Sequence, residues 1–291
     1  RPVERASRGR KATMKTSALR SHIATHIGLL VYTLFLIFPL VWMISTSLKS
    51  TSELYSGVVS LIPSVPTLEQ YRTALSEGML LRSIWNSVLV GTVATVATIV
   101  LALPSAYALA RYRSFLNKAV MGWILTTQIF PVILVMIPLY IVLRSLGLTD
   151  TLSGLAIVYV VWNLPFVLWM LHGYIKTVPP ELEEAARMDG ASQMQVLFRV
   201  LLPVLLPAIA ASAIFAFISI WNEFFFALVL MKTPVLGTLP VELARYTGME
   251  GIARTGPLAA SSFIATIPSL VLFAIMRKWF AGGLLAGSLK S

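Results

Sequence analysis

Cysteine is absent from all 291 residues, which excludes disulfides, thiolate metal sites and cysteine nucleophiles. Charge is scarce as well. Asp, Glu, Lys and Arg make up 12 % of the chain, against roughly 25 % in a soluble domain. So few charges cannot cover a water-facing surface. With 57 % hydrophobic residues and a mean hydropathy of +0.82, the natural solvent is a lipid bilayer. Acidic residues are scarcer than basic ones, 12 against 23, for a net charge of +11. In a soluble protein that excess would point to nucleic acid. In so apolar a chain it marks cytoplasmic loops, and no nucleic-acid partner is expected. Three histidines are present, and His22 and His26 stand four residues apart with no third ligand nearby. They read as polar residues at a membrane interface. The sequence has no G-x-x-x-x-G-K-[ST] phosphate loop, no H-E-x-x-H and no G-x-S-x-G. An ATP site, a zinc protease and an esterase each lack their parts, so no catalytic residue, metal or cofactor is expected in this chain.

What is present is six long apolar runs, at 27–48, 84–110, 119–143, 151–175, 200–222 with an extension to 231, and 255–276. Each meets the ~20 residues that a helix needs to cross ~30 Å of hydrocarbon. Continuous runs without alternation exclude a β-barrel. The first run follows a basic segment and has no small-residue cleavage site after it, so it reads as a retained span. The expected fold is therefore an all-α polytopic membrane protein with six transmembrane helices. Its parts are a basic tail over 1–26, a membrane domain over 27–280 and a tail over 281–291. Of the 23 Lys and Arg, 16 fall on segments that are inside if the N-terminus is inside. The outer loops are also the longer ones, so N-in, C-in is predicted. Prolines interrupt every span, which packed helices tolerate and lone lipid-facing helices do not. The two halves show no internal repeat of the kind seen in self-sufficient secondary transporters. Half of a translocation pathway, completed by a second chain, fits better than a stand-alone carrier or channel.

The segment between the fourth and fifth runs is the most informative. Pro179-Pro180 is followed by Glu181, Glu183 and Glu184, a first turn suited to proline and to the positive end of a helix dipole. Gly190 offers the left-handed backbone that ends a short helix, and Ser192 can cap a second one leading to Val200. A charged helix on an inward loop makes a handle for a cytoplasmic partner.

This segment resembles the E-A-A-x3-G-x9-I-x-L-P signature of permeases in binding-protein-dependent ABC importers. Glu184-Ala185-Ala186, Gly190 and Val200-x-Leu202-Pro203 supply it, with Val200 in place of isoleucine. Further passages are similar to the carbohydrate branch, especially the smaller permease of maltose-type importers. They are Ser47-Leu48-Lys49, Pro63 to Tyr71, Asn86-Ser87, Ala106 to Arg111, Asp150-Thr151 with Gly154-Leu155, and Trp221-Asn222-Glu223-Phe224. The resemblance implies a type I, MetI-like architecture in a bacterial or archaeal inner membrane. It also implies an ATPase-coupling site at Glu183, Glu184, Ala185, Ala186, Asp189 and Gly190. The implied partners are a second permease, two ATPase subunits that carry ATP and Mg, and an extracytoplasmic sugar-binding protein. A permease for a non-sugar solute stays open. Trp221, Asn222, Glu223, Gln128 and Asn163, polar or aromatic groups in the spans, are candidates for the substrate pathway. Glu223 reads more readily as a residue packed or bonded to the partner permease, and a third reading has it snorkel to the outer interface. The outer loop over 232–257 is implied to reach a docked binding protein.

Overall fold

Backbone polar groups in hydrocarbon must be satisfied within the chain, and the computed structural model meets this with helices; it has no strand among the described residues, 2–112, 115–248 and 254–288. Part of the loop expected over 232–257, and the end of the tail over 281–291, lie outside those residues. Five helices are long and apolar enough to span, over Thr25–Ser47, Leu80–Arg111, Leu152–Thr177, Gln193–Trp221 and Thr255–Ile275. The expected third span differs. It is two helices of 13 and 14 residues, separated at 128–131. Pro131 has no N–H to donate and drives Phe130 away from helical backbone. The first helix therefore ends and the second restarts at Val132.

The chain forms two compact units, one of residues 1–72 with 255–263 and the other of residues 73–254 with 264–291. In the first, helix α1 (Pro2–Ser47) leads to a short α2 (Thr51–Tyr55) and to the start of α3 (Glu69–Glu77). The Ser47-Leu48-Lys49 and Pro63-to-Tyr71 passages meet here. The Tyr71 and Ser47 hydroxyls lie 2.8 Å apart, and Thr67 N–H donates to the Leu48 carbonyl at 2.8 Å. Gln70 is buried and donates to the Lys49 carbonyl at 3.1 Å. The opening of α13 (Thr255–Ser288) passes so close that a Cβ on Gly256 would sit 2.4 Å from the Gln70 amide.

In the second unit, α4 (Leu80–Arg111) packs against α7 (Leu152–Thr177) and α10 (Leu202–Trp221). Helices α5 (Phe115–Thr127) and α6 (Val132–Ser145) carry the broken span. Gly91 lets the Phe217 ring lie against α4, where an added Cβ would stand 3.1 Å from it. One apolar core, around Leu103, Leu171, Ile175, Leu201 and Leu205, fills the inner end on the predicted orientation. A second, around Val90, Leu155, Tyr159, Ile220 and Phe226, fills the outer end. Ahead of α10 come α8 (Glu181–Met188), α9 (Gln193–Gln195) and a π-helical turn, Val196–Leu201. Pro203 cannot donate to the Arg199 carbonyl, and the wider turn relieves the clash of its ring with that group. After α10 follow α11 (Phe225–Leu230), a 3₁₀ turn at Pro234–Leu236 and α12 (Leu239–Arg245).

Candidate coupling site at the inner face

Helix α8 is built by local rules. Pro180 stands at its N-cap, with three glutamates in the first turn. Its end is a Schellman turn. Gly190 N–H donates to the Arg187 carbonyl and Ala191 N–H to the Ala186 carbonyl, each at 3.0 Å. Gly190 holds φ +83°, with open space where a Cβ would stand. Backbone conformation, not crowding, therefore demands the glycine. Ser192 then forms a capping box with Gln195: Ser192 N–H donates to Gln195 Oε1 at 2.8 Å, and Gln195 N–H donates back to Ser192 Oγ.

The structure separates the six expected coupling residues. Glu184, Ala185, Asp189 and Gly190 are exposed, while Ala186 is half-buried against the inner core. Leu182 and Met188 extend the exposed surface on α8, Met188 at 83 %. Glu183 is different: it is 1 % exposed. Arg111 Nε donates to its Oε1 at 2.5 Å, and the Tyr107 hydroxyl donates to its Oε2 at 3.0 Å. Arg187, one turn further along α8, donates to the same Oε2 at 3.2 Å. Arg111 also donates to the Val178 carbonyl at 2.9 Å, which fixes the approach to Pro179. Burying one carboxylate is costly unless it is paired and fully hydrogen-bonded, and here two guanidinium groups and a phenol serve it. Glu183 therefore anchors α8 to the last turn of α4 and leaves Glu184 to face outward. Sequence reasoning missed Tyr107, Arg111 and Arg187 as parts of this site. The available signal was Tyr107 and Arg111 at i, i+4 on the inner end of one span, facing an acidic loop helix.

At the other end, the pathway candidates are largely occupied. Glu223 sits just past α10 and caps α11, with its Oε1 accepting from Phe226 N–H at 2.9 Å. Tyr159 donates to its Oε2 at 2.9 Å. Asn163 is buried and donates to the Tyr159 carbonyl at 2.9 Å, so the two candidates engage one tyrosine from its two ends. Trp221 is buried and stacks on Phe217 with centroids 5.7 Å apart. Asn222 is exposed and donates to the Ile218 carbonyl at 2.8 Å. Gln128 is exposed at the α5–α6 break.

The remaining passages also have structural roles in holding the outer loop. Asn86 Nδ2 donates to the Val235 and Gly237 carbonyls, both at 2.9 Å, and Leu239 N–H donates to Ser87 Oγ at 2.8 Å. Buried Glu242 accepts from Met79 N–H at 3.0 Å and pairs with Arg245 at 3.2 Å. Asp150 has a left-handed backbone, φ 56°. Its carboxylate accepts from Thr233 Oγ1 at 2.6 Å and from the N–H groups of Thr233 and Lys232 at 3.0 and 2.8 Å. The Thr233 bonds hold its pKa below the usual carboxylate value. Thr151 caps α7 by accepting from Gly154 N–H at 3.0 Å. A Cβ on Gly154 would fall 2.0 Å from the Leu148 carbonyl oxygen, so only glycine fits there.

Apolar helices long enough to span, and a short acidic helix pinned to the end of one of them, define the transmembrane subunit of a transporter. The chain belongs to the family of binding-protein-dependent transport system inner membrane components, whose model matches residues 94–284. It is 48 % identical to an ABC transporter permease protein, ORF1, of Streptomyces antibioticus, over 79 % of this chain and all of that one. It is 34 % identical to the trehalose transport system permease protein SugB of Mycobacterium tuberculosis, over 88 % of this chain and 93 % of that protein. The fold matches a chain in the crystal structure of a bacterial ABC transporter involved in import of the acidic polysaccharide alginate. The TM-score is 0.76 at 26 % identity, covering 89 % of this chain and 95 % of that one.

Proposed function

We propose that this chain is one of two permeases of an ATP-driven carbohydrate importer, and that α8 couples it to a separate ATPase. Family membership and the trehalose and alginate relatives support a carbohydrate as cargo. The observation that carries the coupling role is the two-sidedness of α8. One side is ion-paired to α4 through Glu183, and the other exposes Glu184, Ala185, Met188 and Asp189. A helix clamped on one side and free on the other is suited to receive a partner and to pass its motion on. ATP and Mg would be held by two partner ATPase subunits. A second permease would complete the pathway, and an extracytoplasmic binding protein would deliver the sugar.

The test is reconstitution. Liposomes holding this chain, its partner permease and the ATPase subunits, supplied with the binding protein, take up labelled trehalose or another glycan of a panel only when ATP is inside. The chain alone hydrolyses no ATP. Uptake by the chain alone, driven by an ion gradient, would overturn the proposal.

A further inference from the structure

Helix α4 is tied to a functional segment at each end. Its 32 residues span about 48 Å at 1.5 Å per residue. At the inner end, Tyr107 and Arg111 hold the buried carboxylate of Glu183 on α8. At the outer end, Asn86 and Ser87 hold the backbone of the outer loop at Val235, Gly237 and Leu239. The covalent route from α8 into α10 runs instead through the left-handed turn at Gly190 and a π-helical turn. Among the described residues, the ion pair that ties α8 to another helix goes to α4. α4 runs as one helix from one attachment to the other, with Pro104 inside it one turn before Tyr107.

We infer that α4 is the lever of this subunit, carrying motion of the docked α8 through the Arg111–Glu183 joint to the outer loop held by Asn86 and Ser87. The inference rests on the coupling role proposed for α8 and adds the route by which the docked helix reaches the extracytoplasmic side. In it Arg111, Tyr107, Asn86 and Ser87 are positioning residues that act through the elements they join. Each joint suits the task. The inner one is a charged bond buried from water, where it is stiff. The outer one grips main-chain carbonyls and an N–H, so it moves the loop's backbone and not a single side chain.

The cysteine-free chain makes the test clean. Lys232→Cys, at an exposed outer-loop position, is placed in the complete complex with its ATPase subunits in proteoliposomes. The rate of labelling by a membrane-impermeant maleimide is compared without nucleotide and with ATP and vanadate inside. Arg111→Gln with Glu183→Gln removes the ionic joint without leaving an orphan buried charge, and Asn86→Ala loosens the outer joint. In the parent, ATP with vanadate changes the labelling rate. In either variant that change shrinks at least about fivefold, the scale of a typical coupling between sites, while vanadate still traps nucleotide on the ATPase subunits. Three results would overturn the lever: an unchanged response in either variant, no response in a parent that traps nucleotide, or loss of the ATPase subunits from the double variant. If the parent neither retains the ATPase subunits nor traps nucleotide, the proposed role of α8 fails with it.

Discussion

Two glutamates side by side, Glu183 and Glu184, look equivalent in the sequence and are opposite in the structure. Glu183 is sealed beneath α8 with Arg111, Arg187 and Tyr107, and Glu184 faces out. Removing one partner of a buried ionic pair costs about 3–5 kcal/mol, because the other charge is stranded. Glu183→Ala is therefore expected to lower the thermal stability of the purified protein sharply. Glu184→Ala, a surface change, is expected to stay within about 0.5 kcal/mol while abolishing ATP-driven uptake by the reconstituted complex. Equal melting curves for the two variants would contradict the assignment. Glycines sort in the same manner. At Gly190 an alanine meets a left-handed backbone that disfavours it by about 1–2 kcal/mol. At Gly154 it meets the Leu148 carbonyl at 2.0 Å and forces the backbone to move. Gly154→Ala is thus expected to be the more damaging of the two, read as yield of folded protein and melting temperature.

The short elements show which features a sequence discloses. Capping is local chemistry, so the Schellman turn at Gly190 and the capping box at Ser192 follow from residues within one turn of each other. Ser192→Ala is expected to cost about 1 kcal/mol, seen as faster hydrogen exchange at the Gln195 amide; unchanged exchange there would rule the cap out. The apolar spans were equally legible, because hydropathy over some twenty residues needs no tertiary information. The break at 128–131 was not. Pro131 and Pro138 lie in the same run and carry the same local restriction, so the sequence does not tell that the chain breaks at one and passes through the other. The inward turn of Glu183 was hidden for a related reason, since its partner Arg111 lies 72 positions away. The outer clamp is also long-range, joining Asp150 to Thr233. Its pKa is depressed from the reference value of 3.8 by the Thr233 bonds. A carboxylate with a depressed folded pKa adds stability above its unfolded pKa and loses it as pH falls through the folded value. The stability gap between wild type and Asp150→Asn, which tolerates the same left-handed backbone, should therefore be full at neutral pH. It should begin to narrow below the reference value of 3.8 and close as pH falls through the lower, folded value. A gap that does not narrow anywhere in acid would show that the charge is not what holds the loop.

At the scale of the whole molecule, the few charges that first pointed to a bilayer also predict, by where the Lys and Arg fall, which way the chain lies in it. Sixteen of 23 basic residues fall on the segments assigned to the inside, and the coupling reading depends on that assignment, because ATPase subunits are reachable only from the cytoplasm. Met188 on α8 and Val59 on the first outer loop are exposed at 83 % and 82 %, so each accepts a cysteine without disturbing a core. In the cysteine-free background, Met188→Cys should react with an impermeant maleimide only in inside-out vesicles, and Val59→Cys only in right-side-out cells. Bound ATPase subunits should then shield the first site and leave the second unaffected. Labelling of Met188→Cys from the cell exterior would invert the topology. It would put the pinned helix beyond reach of any nucleotide-driven partner, and the buried Arg111–Glu183 pair would remain as a stabilising contact with no motion to transmit.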